Sequence, residues 1–156
     1  MDVSLRPVTP GDAEFLFAVY AGTRREEVGG WGWDAAQELA FLRMQWSAQQ
    51  RSYEAAYSGA EHAVILADGQ PVGRIVVYRA GDHIRLVDIA VLPIHRGRGI
   101  GTALIQELMI ESQQTGRPLR LAVLRGNQAA GLYERLGFQD AGVDHMYRQM
   151  EWSPLR

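Results

Sequence analysis

No cysteine occurs among the 156 residues of this chain. Disulfides, thiolate nucleophiles and cysteine-based metal sites are therefore excluded together, and a reducing compartment suits the chain. Charge of neither sign is in excess: 16 basic and 18 acidic residues leave a formal net charge of -2, so no global field draws nucleic acid or an anionic membrane. No apolar run approaches the roughly 18 residues a membrane span needs, and residues 1–10 lack the basic and apolar regions of a signal peptide. A soluble, cytoplasmic protein with neither nucleic acid nor membrane as partner is expected. Repeats, low-complexity tracts and linkers are missing too, and no His, Asp and Glu spacing resembles a metal site. What remains is a chain of 47% hydrophobic residues, enough for one domain over residues 1–156 that buries roughly 68–70% of its unfolded surface.

Periodicity divides this chain into elements. Residues 3–8 read as a first strand. Thr9 as N-cap, with Pro10 in the first helical position, starts a helix whose apolar stripe runs from 13 to about 21. Residues 26–33 hold three glycines and two tryptophans and read as a break. Asp34, spaced to Gln37 as in a capping box, opens a long helix over 35–57. Strand-like runs follow at 63–67, 72–78 and 84–92, joined by turns at Asp68-Gly69 and Ala80-Gly81-Asp82, and predict an antiparallel meander. A helix over 99–115 is stopped by Gly116 and Pro118. The strand over 119–124 returns through a right-handed crossover and so lies parallel to 84–92. A short helix over 127–136 and two closing antiparallel strands, 138–141 and 145–152, complete an α/β fold: a mixed, mostly antiparallel sheet of about seven strands with about four helices.

The run Arg96-Gly97-Arg98-Gly99-Ile100-Gly101 joins an apolar strand to a helix. Glycines remove the side chains that would hold an anion off, a helix N-terminus presents unpaired N–H groups, and two arginines add charge-assisted donors. A dinucleotide loop would need its third glycine one position later and an acidic residue about 20 positions on; a P-loop would need Gly-Lys-Ser/Thr. A plain strand-to-helix turn is the remaining alternative. The pattern R-x-x-G-x-G resembles the acyl-CoA pyrophosphate loop of the GNAT superfamily of N-acetyltransferases. A second run, Asn127-Gln128-Ala129-Ala130-Gly131-Leu132-Tyr133-Glu134-Arg135-Leu136-Gly137-Phe138, is similar to that family's N-x-x-A-x-x-L-Y-x-x-x-G-F at every fixed position. The resemblance is close over residues 84–138 and covers the first 60 only as a general plan. It implies that the parallel strands splay apart at one end to admit the pantetheine arm.

The resemblance also implies the chemistry: acetyl transfer from acetyl-CoA, as co-substrate and without metal, to a primary amine by direct attack. The backbone of Ile89, Ala90 and Val91 would pair with pantetheine, and the N–H of Val91 or its neighbour would polarise the thioester carbonyl. Arg96, Gly97, Arg98, Gly99, Ile100, Gly101 and Thr102 would hold the pyrophosphate, and Asn127 the pantetheine arm. Tyr133 matches the tyrosine that faces the sulfur and, as general acid, would protonate the thiolate; spacing alone favours a core tyrosine beside Leu132 and Leu136, and the motif match favours the functional role. The general base has no assigned residue, because Arg85 and Ala122 occupy the positions of the family's glutamates. Asp88, the carboxylate inside strand 84–92, is either a site residue or a structural acceptor; Glu54, Glu61, His62 and His83 are further options.

Trp31 and Trp33, where the family places its acceptor loop, would line an amine pocket with Glu26 and Glu27 attracting a cation; the other reading is a hydrophobic lid or dimer contact. The acceptor is a small-molecule or protein amine, and a homodimer through a sheet edge or the aromatic helix is compatible with the chain. A non-catalytic acyl-CoA-binding sensor or structural protein of the same fold is the alternative function, and a dinucleotide-binding oxidoreductase a distant third.

Overall fold

The computed structural model describes residues 1–144 and 146–154, with the side chain of Glu26 left out. Among these, seven strands and four α-helices follow in the order β1 (Val3–Pro7), α1 (Ala13–Gly29), α2 (Ala35–Ala56), β2 (Glu61–Ala67), β3 (Gln70–Arg79), β4 (Ile84–Val91), α3 (Ile100–Thr115), β5 (Leu119–Leu124), α4 (Ala129–Arg135), β6 (Gln139–Asp144) and β7 (Tyr147–Trp152). The strands are hydrogen-bonded in the order β1-β2-β3-β4-β5-β7-β6. The α/β class and the mixed sheet are as the sequence predicts. His145, the expected first residue of the last strand, lies outside the described residues. No described helix is long and apolar enough to cross a membrane.

Contacts group the chain into two compact units. The first comprises Met1–Val76 and Ile89–Ile100. There β1 pairs antiparallel with β2, from Val3 opposite Ala67 to Pro7 opposite Ala63. Phe17, Tyr20, Ala21 and Val28 of α1 bury against Leu42 of α2, with Phe41 and Trp46 packed on them. The capping box of α2 forms as predicted: Gln37 N–H donates to Asp34 Oδ1 at 2.8 Å, and Asp34 N–H to Gln37 Oε1 at 3.1 Å. Thr9 caps a 3-10 turn over Pro10–Asp12 that feeds α1.

One boundary is corrected. The first helix does not stop near residue 21 but runs to Gly29, so Glu27 sits in its last turn and the break shrinks to the residues before Asp34. Residues 23–27, Thr-Arg-Arg-Glu-Glu, are mostly good helix formers, and Val28, 2% exposed, anchors the extra turns in the core.

Asp12 is a buried carboxylate that sequence patterning did not single out. It accepts from both terminal nitrogens of Arg6, each at 2.8 Å, from the Thr9 N–H at 2.8 Å and from the Thr9 hydroxyl at 3.1 Å. These donors, the Arg6 guanidinium first, hold its pKa well below the usual carboxylate range. With the lower pKa in the folded state, the stabilisation is complete above the unfolded value of about 3.9 and is lost as pH falls through the folded value. Asp12→Asn should therefore lower the melting temperature at pH 7 and flatten its decline below about pH 4. A melting series from pH 2 to 7 in which the variant and wild type run parallel would refute this linkage.

The second unit comprises Val77–Asp88 and the chain from Gly101 onward. Leu104, Ile105 and Leu108 of α3 are buried at helical spacing, with Leu119, Leu121 and Val123 alternating along β5. Each such side chain contributes about 1.5–3 kcal/mol when fully buried. β4 and β5 pair in parallel only through Ile84, Leu86 and the residue between them, opposite Leu119–Leu121; the ladder with β5 ends there, while β4 runs on to Val91. β7 then pairs antiparallel with both β5 and β6, the latter with a register shift between Asp140 and Gly142.

Candidate active site

The glycine-rich run opens α3 as expected. A 3-10 turn, Pro93–His95, leads out of β4. Gly97 and Gly99 then take φ of +77° and +78°, conformations that L side chains rarely adopt, on either side of Arg98, whose φ is not positive. Left-handed residues in a loop that leads into a helix suit main-chain turns of the kind that hold anions. Nothing lies within 4 Å of where a Cβ would stand at either glycine. Ile100, 2% exposed, plugs the first turn of α3 into the core, and Arg98 stays exposed. These residues fit a diphosphate: backbone donors, a helix N-terminus and a nearby cation.

Arg96 has a local task. Its Nε donates to the Val91 carbonyl at 3.0 Å and its Nη2 to the Gly22 carbonyl of α1 at 3.4 Å. The guanidinium thus ties the loop back to the end of β4 and to α1. Gly22 matters for the same approach, since a Cβ there would come within 3.0 Å of Pro93 Cδ.

Ile89, Ala90 and Val91 are half-buried, and Leu92 N–H donates to the Val72 carbonyl at 2.8 Å. This close strand approach needs Gly73: a Cβ there would overlap the Ala90 carbonyl oxygen and stand 3.0 Å from Val91 Cα. Gly73 is the residue that sequence reasoning missed. Its signal was an isolated glycine inside an otherwise β-branched strand, which marks a bulge or a close backbone approach.

In the second unit, Tyr133 of α4 is 8% exposed and its ring lies 5.6 Å from that of Phe138, tilted by 58°. Burial pushes the phenol pKa above its ordinary value, and the charge of Asp88 adds to the rise. Asp88 is therefore an electrostatic neighbour of Tyr133. Asn127 Oδ1 accepts from the Ala129 N–H at 2.9 Å and so shapes the entry to α4. Thr102, half-buried, sits in the first turn of α3.

The expected acceptor segment holds an aromatic triad rather than a tryptophan pair. Trp31, Trp33 and Phe41 meet edge to face with centroids 5.1–5.3 Å apart. Trp31 remains 46% and Trp33 38% exposed, and Glu27 is exposed beside them in sequence. Of the bases considered, His83 pairs through Nδ1 with Asp82 at 2.7 Å. Glu26's side chain lies outside the described residues.

A mixed sheet whose parallel ladder ends early is followed by a glycine-rich loop that opens a helix. The acetyltransferase (GNAT) domain profile matches residues 58–140, more than half of the chain, and the protein belongs to that family. It is 30% identical over 84 residues to a [ribosomal protein bS18]-alanine N-acetyltransferase of Haemophilus influenzae, covering 53% of this chain and 58% of that one. It is 38% identical over 89 residues to a thialysine N-epsilon-acetyltransferase of Mus musculus, covering 49% and 52%. The chain thus spans little more than half the length of these curated relatives. Its fold superposes on a PaiA N-acetyltransferase from Thermoplasma acidophilum, solved in complex with coenzyme A, with a TM-score of 0.72 at 19% identity over 98% of this chain and 99% of that one.

Proposed function

We propose that this protein, as a single GNAT domain, transfers the acetyl group of acetyl-CoA to a primary amine. The observation that carries this reading is the loop with left-handed Gly97 and Gly99 at the start of α3, after a strand whose parallel ladder has ended. Backbone N–H groups of residues 97–101 and the Arg98 guanidinium hold the diphosphate. The backbone of Ile89–Val91 orients the pantetheine arm, and an N–H at Val91 meets the carbonyl oxygen. As the neutral amine attacks the carbonyl carbon, that oxygen gains charge, and one well-aimed donor is worth about 2.7–4 kcal/mol there. Collapse breaks the C–S bond. Tyr133 gives its phenolic proton to the leaving thiolate, and the surplus proton of the attacking amine leaves to water.

Both relatives named above modify amines, one on a protein α-amine and one on a small molecule, so either class is a fair acceptor here. An α-amine, with pKa near 8, would reach its neutral form more easily than a lysine near 10.4 and would need less help from a base. All 16 basic residues of the chain are arginine. No lysine side chain of its own competes as acceptor, so thiol release above an amine-free blank reports on the added amine.

The test is calorimetric titration of acetyl-CoA with NADH as control, followed by a thiol-release assay across peptide α-amines, diamines and aminothioethers. Selective binding at one site per chain, with release dependent on the amine, is expected. A folded protein that binds no acetyl-CoA would reduce the loop to a turn. Binding without release over the whole panel would make the protein an acyl-CoA sensor.

A further inference from the structure

Arg96 is engaged elsewhere than its place in the sequence suggests. In the glycine loop it is expected to hold the diphosphate, but its Nε donates to the Val91 carbonyl at 3.0 Å and its Nη2 to the Gly22 carbonyl at 3.4 Å. Nε and Nη2 lie on one edge of the planar guanidinium, so a single rigid fork holds the end of β4 and the interior of α1 together. Arg98, two positions on, is exposed and makes no such bond among the described residues.

A second feature marks the same junction from the side of α1. Gly22 lies inside a 17-residue helix, where glycine is destabilising relative to alanine. Packing explains its presence: a Cβ there would stand 3.0 Å from Pro93 Cδ and 3.4 Å from Pro93 Cγ, in the turn that leads from β4 to Arg96. Helix and loop therefore touch between Gly22 and Pro93 and are bonded between Gly22 and Arg96, one contact apolar and the other charge-assisted.

Both ends of this tie lead to the proposed chemistry. Val91, whose carbonyl Arg96 holds, carries the N–H proposed to meet the thioester oxygen. Gly22 stands seven residues, or about 10 Å of helix, before the end of α1. Its neighbour Ala21 shares with Val28 the core cluster on which Phe41 packs, and Phe41 meets Trp31 and Trp33 edge to face at 5.3 and 5.1 Å. A helix held at Gly22 thus steadies the base on which the two tryptophans rest.

We propose that Arg96 is a positioning residue that joins the two substrates of the acetyl-transfer reading, on which this role rests: it ties α1, and with it the Trp31 and Trp33 segment that receives the amine, to the loop that holds acetyl-CoA. Acetyl-CoA on the loop stiffens the turn that presents Arg96 to Gly22 and so raises the affinity for the amine. Linkage requires the amine to raise the affinity for the cofactor by the same factor. The diphosphate itself is held by the loop backbone and Arg98.

The test compares Arg96→Met, Arg96→Lys and Gly22→Ala with wild type by acetyl-CoA titration, by amine KM and kcat from thiol release, and by amide hydrogen exchange over residues 23–33 with and without coenzyme A. Arg96 is exposed, so its variants should fold, as melting curves will check. Arg96→Met is expected to keep Kd for acetyl-CoA within about threefold of wild type and to raise amine KM about tenfold or more. Exchange over 23–33 should quicken in the free variant, and the protection that coenzyme A confers there should be lost. Arg96→Lys, which keeps one charged donor, should recover part of the KM. Gly22→Ala, which displaces Pro93 from the other side, should raise the same constant and combine less than additively with Arg96→Met. A Kd for acetyl-CoA that rises in Arg96→Met as it does in Arg98→Met, with amine KM unchanged, would make Arg96 a phosphate ligand and overturn the role. Unchanged exchange over 23–33 in Arg96→Met would overturn it whatever the turnover. Failure of the acetyl-transfer reading looks different: wild type itself would then bind no acetyl-CoA or release no thiol.

Discussion

Tyr133→Phe is expected to lower kcat by about 10²–10⁴-fold while leaving the affinity for acetyl-CoA near the wild-type value, because loss of a positioned general acid typically costs that much. Tyr133 is buried, and burial together with the charge of Asp88 raises its pKa above the ordinary 10.0, so the phenol keeps its proton throughout the neutral range. A thiol has a pKa near 8.5, so transfer to the thiolate costs little more than the difference between the two groups. The ring of the phenylalanine variant retains the tilted contact with Phe138. Folding should therefore be preserved, and a kcat loss cannot be mistaken for a packing defect. Deprotonation of Tyr133 should also not depress the wild-type rate below about pH 10. An unchanged kcat would remove the assignment; a large rise in Kd for acetyl-CoA would recast Tyr133 as a binding residue.

Gly73→Ala should produce the largest combined loss of stability and cofactor binding of any single methyl addition in the first unit. The new Cβ would overlap the Ala90 carbonyl oxygen and stand 3.0 Å from Val91 Cα, and both obstacles are backbone, which cannot swing aside as a side chain can. Overpacking of this kind costs about 1–3 kcal/mol, or about 2–4 °C in Tm per kcal/mol at this chain length. Ala90 and Val91 are also the residues proposed to meet the pantetheine arm. Their displacement should weaken acetyl-CoA about tenfold, which corresponds to about 1.4 kcal/mol. Gly81→Ala is the matched control, with nothing within 4 Å of its added Cβ, and should stay within about 0.5 kcal/mol of wild type. If Gly73→Ala melts and binds as Gly81→Ala does, the close approach of β3 to β4 has no bearing on the site.

The readings that survived contact with the structure share a short range. The Asp34–Gln37 box involves residues three apart, and both of its hydrogen bonds are present. The Arg96 to Gly101 run was read as a glycine loop joining a strand to a helix, and the chain does pass there from β4 into α3, with left-handed backbone at Gly97 and Gly99. The end of α1 was misplaced for the complementary reason. Glycine and tryptophan near residue 30 signal a break, but burial of Val28 against elements distant in sequence extends the helix beyond what local composition indicates.

The candidate site divides in the same way. Ile89–Val91, Arg96–Thr102, Asn127 and Tyr133 were singled out by resemblance to a family whose motifs are written in consecutive residues. The second task of Arg96, tying the loop to the Gly22 carbonyl 74 positions away, was not. Nor was the clamp on Arg74 from Gln49 and Gln50, 25 and 24 positions away. By itself the chain determined its class, its strand and helix periods, its turn chemistry and the loop that opens α3, since backbone conformation and hydrophobic period depend on neighbours within a turn or a hairpin. Only the tertiary structure decided how closely β3 approaches β4 at Gly73, what holds Arg96 and Arg74, and that burial raises the Tyr133 pKa. Those properties arise from contacts between residues that the fold brings together, and no local pattern encodes the distance between them.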